Sequence, residues 1–317
     1  MVDIIDFHMH LPPKPRDPRQ AAHRLVEDMD SAGVSKGVVI AVEVSRRLFK
    51  TNVDKKALIK ALRDSGVHAV MSKWGMIRRI IEEPEKVIED HEYLIVENRR
   101  SNHEVLAAAE SSGGRLIPVA SYNPDESIED NIGFVERNRR RILGIKVFPT
   151  FHFINPGDRR LFPLYQALED LGLILIVHTG CDPGIWELPP MCREARPRHL
   201  EHVAREFPDL DIVIAHLGSY SLLQPGIYFH ESIEIGRKYG NIYFDTSAVD
   251  SYFIEKAVKK LGSDKLLFGS DHPYMVGLSL RDLVSEIIRL PIDYPDKIRI
   301  VRENAVRLLG SHGWKVD

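Results

Sequence analysis

Apolar residues along this chain follow two rhythms that alternate. Short unbroken runs, Val38-Val39-Ile40-Ala41-Val42, Leu116-Ile117-Pro118-Val119-Ala120, Leu173-Ile174-Leu175-Ile176-Val177 and Leu210-Asp211-Ile212-Val213-Ile214-Ala215, read as strands covered on both faces, the condition of a parallel sheet. The spacing also predicts strands at 143–148, 242–245 and 265–271, and a first strand from Ile4-Ile5 through Asp6-Phe7. Between them the period lengthens to that of an amphipathic helix. The first such segment, 19–32, carries Leu25, Val26 and Met29 on its stripe and stops at Gly33. Others fall at 55–64, 127–140, 161–171 with Gly172 as C-cap, 199–207, 227–238, 252–261, 280–289 and 298–309. The rhythm is lost over 67–114, where a short strand at 68–71 precedes a charged helical stretch, 82–110, broken near 98–102. About eight strand–helix alternations with one irregular helical insertion, near 74–114, predict a single (β/α)8 TIM barrel over residues 1–317. An open doubly wound α/β sheet is the competitor, but no Gly-rich phosphate turn follows the first strand.

Composition narrows the class further. With 317 residues, 44% hydrophobic and 28% charged, the chain reads as a soluble globular protein able to bury a large core. A net charge of -3 argues against a nucleic-acid partner. No apolar stretch reaches membrane-spanning length and no basic-then-apolar leader opens the sequence, so no membrane partner is expected and the cytoplasm is the default location. The two cysteines, Cys181 and Cys192, suggest no disulfide framework and fit a reducing compartment, although their nearness in sequence leaves pairing open. Homo-oligomerisation is left open as well.

The candidate chemistry lies where strands end. His8 and His10 are two residues apart, so on a strand they face the same way and can offer two imidazoles to one ion. Alone, a His-x-His motif is more often a strand end with two surface histidines. His178, His216 and Asp271 also close predicted strands, and in a parallel barrel all such ends meet on one face. Singly, His216 could be a buried imidazole bonded to a carbonyl, and Asp271, before His272-Pro273, a cap or turn residue. Together they describe a site for a catalytic zinc or a related divalent ion, with a coordination position left for water.

The order His8-Met9-His10, Val177-His178, Ala215-His216-Leu217-Gly218 and Gly269-Ser270-Asp271-His272-Pro273 resembles the amidohydrolase superfamily. More narrowly it is similar to the "amidohydrolase 2" branch, which includes aminocarboxymuconate-semialdehyde decarboxylase. Gly144-Ile145-Lys146, Asn241 to Ser247 and Glu303-Asn304-Ala305 extend the likeness over nearly the whole chain. The resemblance implies a distorted barrel holding one divalent metal ion, usually Zn2+, with His8, His10, His178 and Asp271 as ligands. It implies that His216 activates or orients the water, with Asp271 sharing the proton transfer. One departure is Gly218-Ser219, where many relatives have two glycines. In binuclear relatives a carboxylated lysine at the end of the fourth strand bridges two metals. Lys146 falls on the fourth or fifth strand here, and the expectation is a single metal, with Lys146 touching the substrate or a neighbouring carboxylate such as Asp245 or Glu43. Trp186, Arg193 and Arg196, in the long loop 179–198, are candidate substrate contacts, the arginines through bidentate binding of an anion. The bland alternative for both arginines is a surface charge. The implied activity is hydrolysis of a small-molecule amide, lactone or ester by metal-activated water. The alternative is non-oxidative decarboxylation of an unsaturated or aromatic carboxylic acid at the same site. A barrel that keeps these residues without catalysing anything is the weakest reading, because such a ligand set has no evident structural use.

Overall fold

The computed structural model describes residues 3–64 and 75–316. It contains eight parallel strands in sequential order: β1 Ile4–Met9, β2 Val34–Ile40, β3 Leu116–Ser121, β4 Gly144–Val147, β5 Ile174–Val177, β6 Ile212–Ile214, β7 Ile242–Asp245 and β8 Leu266–Leu267. The circle is completed where β8 and the residues after it return to β1. Phe7 N donates to Phe268 O (2.7 Å), Asp271 N to His8 O (2.8 Å) and His10 N to His272 O (2.8 Å). The fold is the (β/α)8 barrel expected from the alternating apolar runs. The strand expected at 68–71 lies outside the described residues, and Lys146 is on the fourth strand.

Alternation along the strands sorts side chains into two cores. Ile174 and Ile176 of β5 join Val38, Ile40, Ile117, Val119 and Val213 in one buried cluster. Their neighbours Leu175 and Val177 pack instead with Leu164, Leu168, Val203 and other residues of the surrounding helices. Both faces are therefore dry, which is why these strands read as unbroken apolar runs. Gly144 is required at its position: a Cβ there would come within 2.0 Å of Ile174 O on the adjacent strand.

The helices follow from local signals. Pro18–Ala32 starts at Asp17, whose side chain accepts from Gln20 N, and ends at Gly33 with φ 74°. Asn102–Ser111 is opened by a full capping box between Ser101 and Glu104 and packs on Pro18–Ala32 and on β3. Between β2 and that helix the chain forms Arg46–Asn52, Lys55–Asp64, Gly75–Glu82, Pro84–Glu92 and a wide turn at Tyr93–Glu97. Among the described residues no helix is long and apolar enough to cross a membrane.

The chain's last helix, Asn304–Ser311, is followed by His312, whose Nδ1 donates to Gly172 O (2.6 Å) and whose Nε2 faces Asp211 Oδ2 (2.9 Å). Burial lowers this imidazole's pKa, but the bonds to Asp211 and Gly172 outweigh it and hold the pKa above the usual histidine value. A raised folded-state pKa stabilises the protein fully below the unfolded value, near 6.5, and that contribution fades as pH rises through the folded value. His312→Ala should therefore lower the melting temperature more at pH 6 than at pH 8.5. An equal loss at both pH values would show that the His312–Asp211 charge pairing contributes nothing.

Candidate active site

His8 of β1 and His10 just beyond it are buried and fixed from behind. His10 Nδ1 lies 2.9 Å from Ile40 O, which can only accept, so Nδ1 carries the proton and Nε2 keeps its lone pair. His8 Nδ1 faces Asp245 Oδ2 at 2.8 Å, which assigns the same tautomer. The opposite nitrogens converge on Asp271 Oδ1, 3.2 Å from His10 Nε2 and 3.6 Å from His8 Nε2. Burial drives the His10 pKa down to about 4, so this imidazole is a neutral donor at physiological pH. These three residues form a compact group able to hold an ion, with their ligand atoms within 4.8 Å of one another.

Asp271 gets there by an irregular route. The chain leaves β8 after Leu267, and Asp271 has φ 58°. Gly269 makes the approach feasible, since a Cβ there would meet His8 Cβ at 2.8 Å. His216 arrives in a similar way. Its residue parity matches Ile212 and Ile214, which pack towards the helices. The turn at His216 (φ 60°) and Leu217 (φ 51°) brings the imidazole to the cavity wall instead. Left-handed backbone costs a non-glycine residue about 1–2 kcal/mol, and such outliers gather at functional sites.

Hydrogen bonds then fix the second pair of histidines. His216 Nδ1 lies 3.0 Å from Ser247 O and 2.9 Å from Ser247 Oγ. In the tautomer that donates to the carbonyl, Nε2 accepts from His178 Nδ1 at 3.0 Å. Burial lowers the His216 pKa to about 3, keeping it neutral. His178 is left with Nε2, which is buried, lacks an aligned hydrogen-bond partner and sits 3.0 Å from Asp182 Oδ2. An imidazole lone pair facing a carboxylate is repulsive unless a cation or a second proton joins them. His178 thus points its free nitrogen at the cavity without joining the compact group of His8, His10 and Asp271. A set of three or four neutral imidazole nitrogens and carboxylate oxygens suits a divalent ion.

Asp245 ties these elements together. It accepts from His8 Nδ1, from His216 N (2.9 Å) and from Ser247 N (3.1 Å). Burial alone would raise its pKa, but His8, His216 and Lys146 outweigh that and hold it well below the carboxylate range. Lys146 is fully buried on β4 with Nζ 2.7 Å from His8 Nε2. Burial, partly offset by Asp271, Asp245 and Asp182, brings its pKa down to about 8. Glu43, the other partner considered for it, instead accepts from Asn102 N at 2.7 Å.

The cavity over these groups has a volume of about 330 Å³ and is walled by Arg99, Phe151, Asp182, Trp186, Tyr220 and Tyr274 among others. Trp186 is there, fully buried, with its ring 5.7 Å from Phe151. Arg193 and Arg196 are not: Arg193 is exposed and pairs with Glu194 (3.0 Å), and Arg196 pairs with Glu231 (3.0 Å) beside the Tyr228 ring. Glutamates satisfy both, Arg193 at the surface and Arg196 half-buried. Cys181 and Cys192 form a disulfide, the pairing that their nearness in sequence left open. It closes the loop that carries Asp182 and Trp186. Glu187 fastens the same loop by accepting from Ser221 Oγ (2.6 Å) and Leu222 N (2.6 Å).

Sequence reasoning did not single out Arg99 or Asp182, and it raised Asp245 only as a partner for Lys146. Asp245 was within its reach, since it too ends a strand. Asp182 and Arg99 lie in loops, where no periodicity reports direction.

A family model described as amidohydrolase matches residues 81–311. A dihydroorotase from Marinomonas sp. (strain MWYL1) is 23% identical over 123 residues, 37% of this chain and 35% of that protein. The chain therefore spans about a third of the length of that relative. Two crystal structures share the fold over almost the whole chain. One is 5-carboxyvanillate decarboxylase from Novosphingobium aromaticivorans, complexed with manganese and a nitrobenzoic acid (12% identity, TM-score 0.60, 98% of this chain and 96% of that one). The other is a probable 2-pyrone-4,6-dicarboxylic acid hydrolase from Acinetobacter baumannii with citric acid bound (14% identity, TM-score 0.59, 97% and 99%). At such identities the likeness is one of fold.

If Asp245 sets the tautomer and aim of His8, Asp245→Asn should weaken divalent-metal affinity by about 10- to 100-fold. Competition with a chromogenic chelator measures this, and unchanged affinity would refute the role.

Proposed function

The chain belongs to the amidohydrolase family, and on that premise we propose that it is a metal-dependent hydrolase of a small-molecule amide, lactone or ester. The observation that carries the reading is the convergence of His8 Nε2, His10 Nε2 and Asp271 Oδ1 in a buried group under an open cavity. His8, His10 and Asp271 would hold one divalent ion, and His178 would complete the set through its unpartnered Nε2. The imidazole-rich donor set favours zinc. Manganese, present in the decarboxylase of similar fold, is its rival. When bound, the ion supplies Lewis acidity and a supply of nucleophilic water near neutral pH.

The protein's own groups do the rest. Asp271 is an ionised carboxylate beside the donor nitrogens and accepts a proton as the nucleophile forms. His216, neutral and anchored through Ser247, relays protons and holds the His178 ring in its tautomer. Lys146 neutralises charge that develops on the substrate, its lowered pKa making it an available proton donor. Trp186, Phe151 and Tyr274 exclude water around the substrate. A second reading, non-oxidative decarboxylation of an unsaturated or aromatic acid, draws support from the fold likeness to 5-carboxyvanillate decarboxylase over almost all of the chain. The same donor set serves it, with a proton delivered to carbon as carbon dioxide leaves.

Elemental analysis of the purified, metal-supplemented protein should find about one equivalent of divalent metal. His216→Ala should keep that metal and lose turnover by about a hundredfold or more. A protein that takes up almost no metal, or a His216→Ala variant with full activity, would overturn the assignment. Ring opening with proton release identifies the hydrolase, and carbon dioxide release from unsaturated acids identifies the lyase.

A further inference from the structure

Two adjacent arginines, Arg99 and Arg100, follow the helical insertion, and the structure uses them differently. Arg100 is buried and spends its donors on the chain itself. It donates to Pro12 O (2.7 and 3.0 Å), Pro13 O (3.2 Å), Arg16 O (2.8 Å) and Glu104 Oε1 (2.8 Å). Its own carbonyl accepts from Val42 N at 2.8 Å. Arg100 thereby pins the insertion's exit to the loop after β1, and the backbone of Arg99 is fixed with it.

Arg99 is left with no such partners. Its Nε is buried without a hydrogen bond, and among the described residues it makes no ion pair. Its guanidinium lies over the Tyr274 ring (4.4 Å) and beside Phe151 (5.4 Å). Two aromatic faces hold the cation in place without using its in-plane donors. Asp182, which also lines the cavity, is already engaged by Thr150 Oγ1 (3.0 Å) and His178. The indole N–H of Trp186, whose ring meets Phe151 at 5.7 Å, also has no acceptor, but that N–H has no surface in the cavity. Buried donors without acceptors are costly, and a binding site is a common reason to keep them.

We propose that Arg99 recognises a carboxylate of the substrate in this cavity. This deepens the metallohydrolase reading and rests on it. Charge agrees: Arg99 and Lys146 on the cavity wall balance Asp182 and Asp271, so a carboxylate meets no net negative wall. Distance agrees too. The Tyr274 ring that carries Arg99 stands 5.0 Å from the His10 ring, and the Phe151 ring beside Trp186 stands 6.3 Å from that of His178. The anion-binding wall is thus one aromatic ring away from the reacting end, which suits a small, flat carboxylic acid.

Benzoate and its neutral isostere benzamide are the probes, titrated by calorimetry into the full-length protein, both metal-loaded and chelator-treated. Wild-type protein should prefer benzoate by roughly ten- to a hundredfold in both forms. Arg99→Gln should abolish the preference and Arg99→Lys should restore part of it, with melting temperatures near wild type. A folded Arg99→Gln protein that keeps the preference overturns the proposal. So does a wild-type preference that vanishes with the metal. An Arg99-dependent preference in a protein that takes up no metal would instead sustain this proposal while the metallohydrolase reading fails.

Discussion

The site depends on the seam where β8 meets β1. Asp271 and the pair His8 and His10 stand at opposite ends of the sequence, and only closure of the barrel brings them together. Three backbone hydrogen bonds, Phe7 to Phe268, Asp271 to His8 and His10 to His272, set the register of that seam. Asp6 reinforces it from inside, its Oδ1 accepting from both His8 N and Ser270 N at 3.0 Å. A slip of one residue would turn Asp271 away from the imidazoles. The strain stored at His216 and Asp271 persists because eight strands packed on both faces over-determine the ends from which these residues project.

Within that frame the histidines are set by what stands behind them. Carbonyls of Ile40 and Ser247 and the carboxylate of Asp245 each claim one ring nitrogen. Burial keeps His10 and His216 neutral. The opposite nitrogens of His8, His10 and His178 are thereby left as lone pairs near the cavity. Such prior fixing of tautomer and orientation raises the basicity and affinity of imidazole ligands. The loop tied by the Cys181–Cys192 disulfide and by Glu187 presents Asp182 and Trp186 to the same space.

Much of this arrangement was legible before any coordinates. Strands buried on both faces leave a strong apolar signal, so β5 and β6 could be found within a residue or two, and His178 could be placed just beyond the first. The rule that polar residues at strand ends converge also reached His8, His10 and Asp271. It reached His216 as well, although that residue's parity would turn it away and its left-handed turn is what brings it to the cavity. What escaped was set by contacts distant in sequence. The strand expected to run to Asp271 stops at Leu267. In the loops, an arginine's fate depends on which carboxylate folds beside it. Glu194 and Glu231 claim Arg193 and Arg196, whereas Arg100 consumes the nearby carbonyls and leaves Arg99 free for the cavity. Nothing in local composition separates these four residues.

The central claim is that the seam builds one metal centre. Anomalous diffraction from crystals soaked in zinc or manganese tests it most directly. One strong peak should lie between His8 Nε2, His10 Nε2 and Asp271 Oδ1, on the side facing His178. A crystal without a peak there, or with its principal peak at residues remote from β1 and β8, would contradict the account.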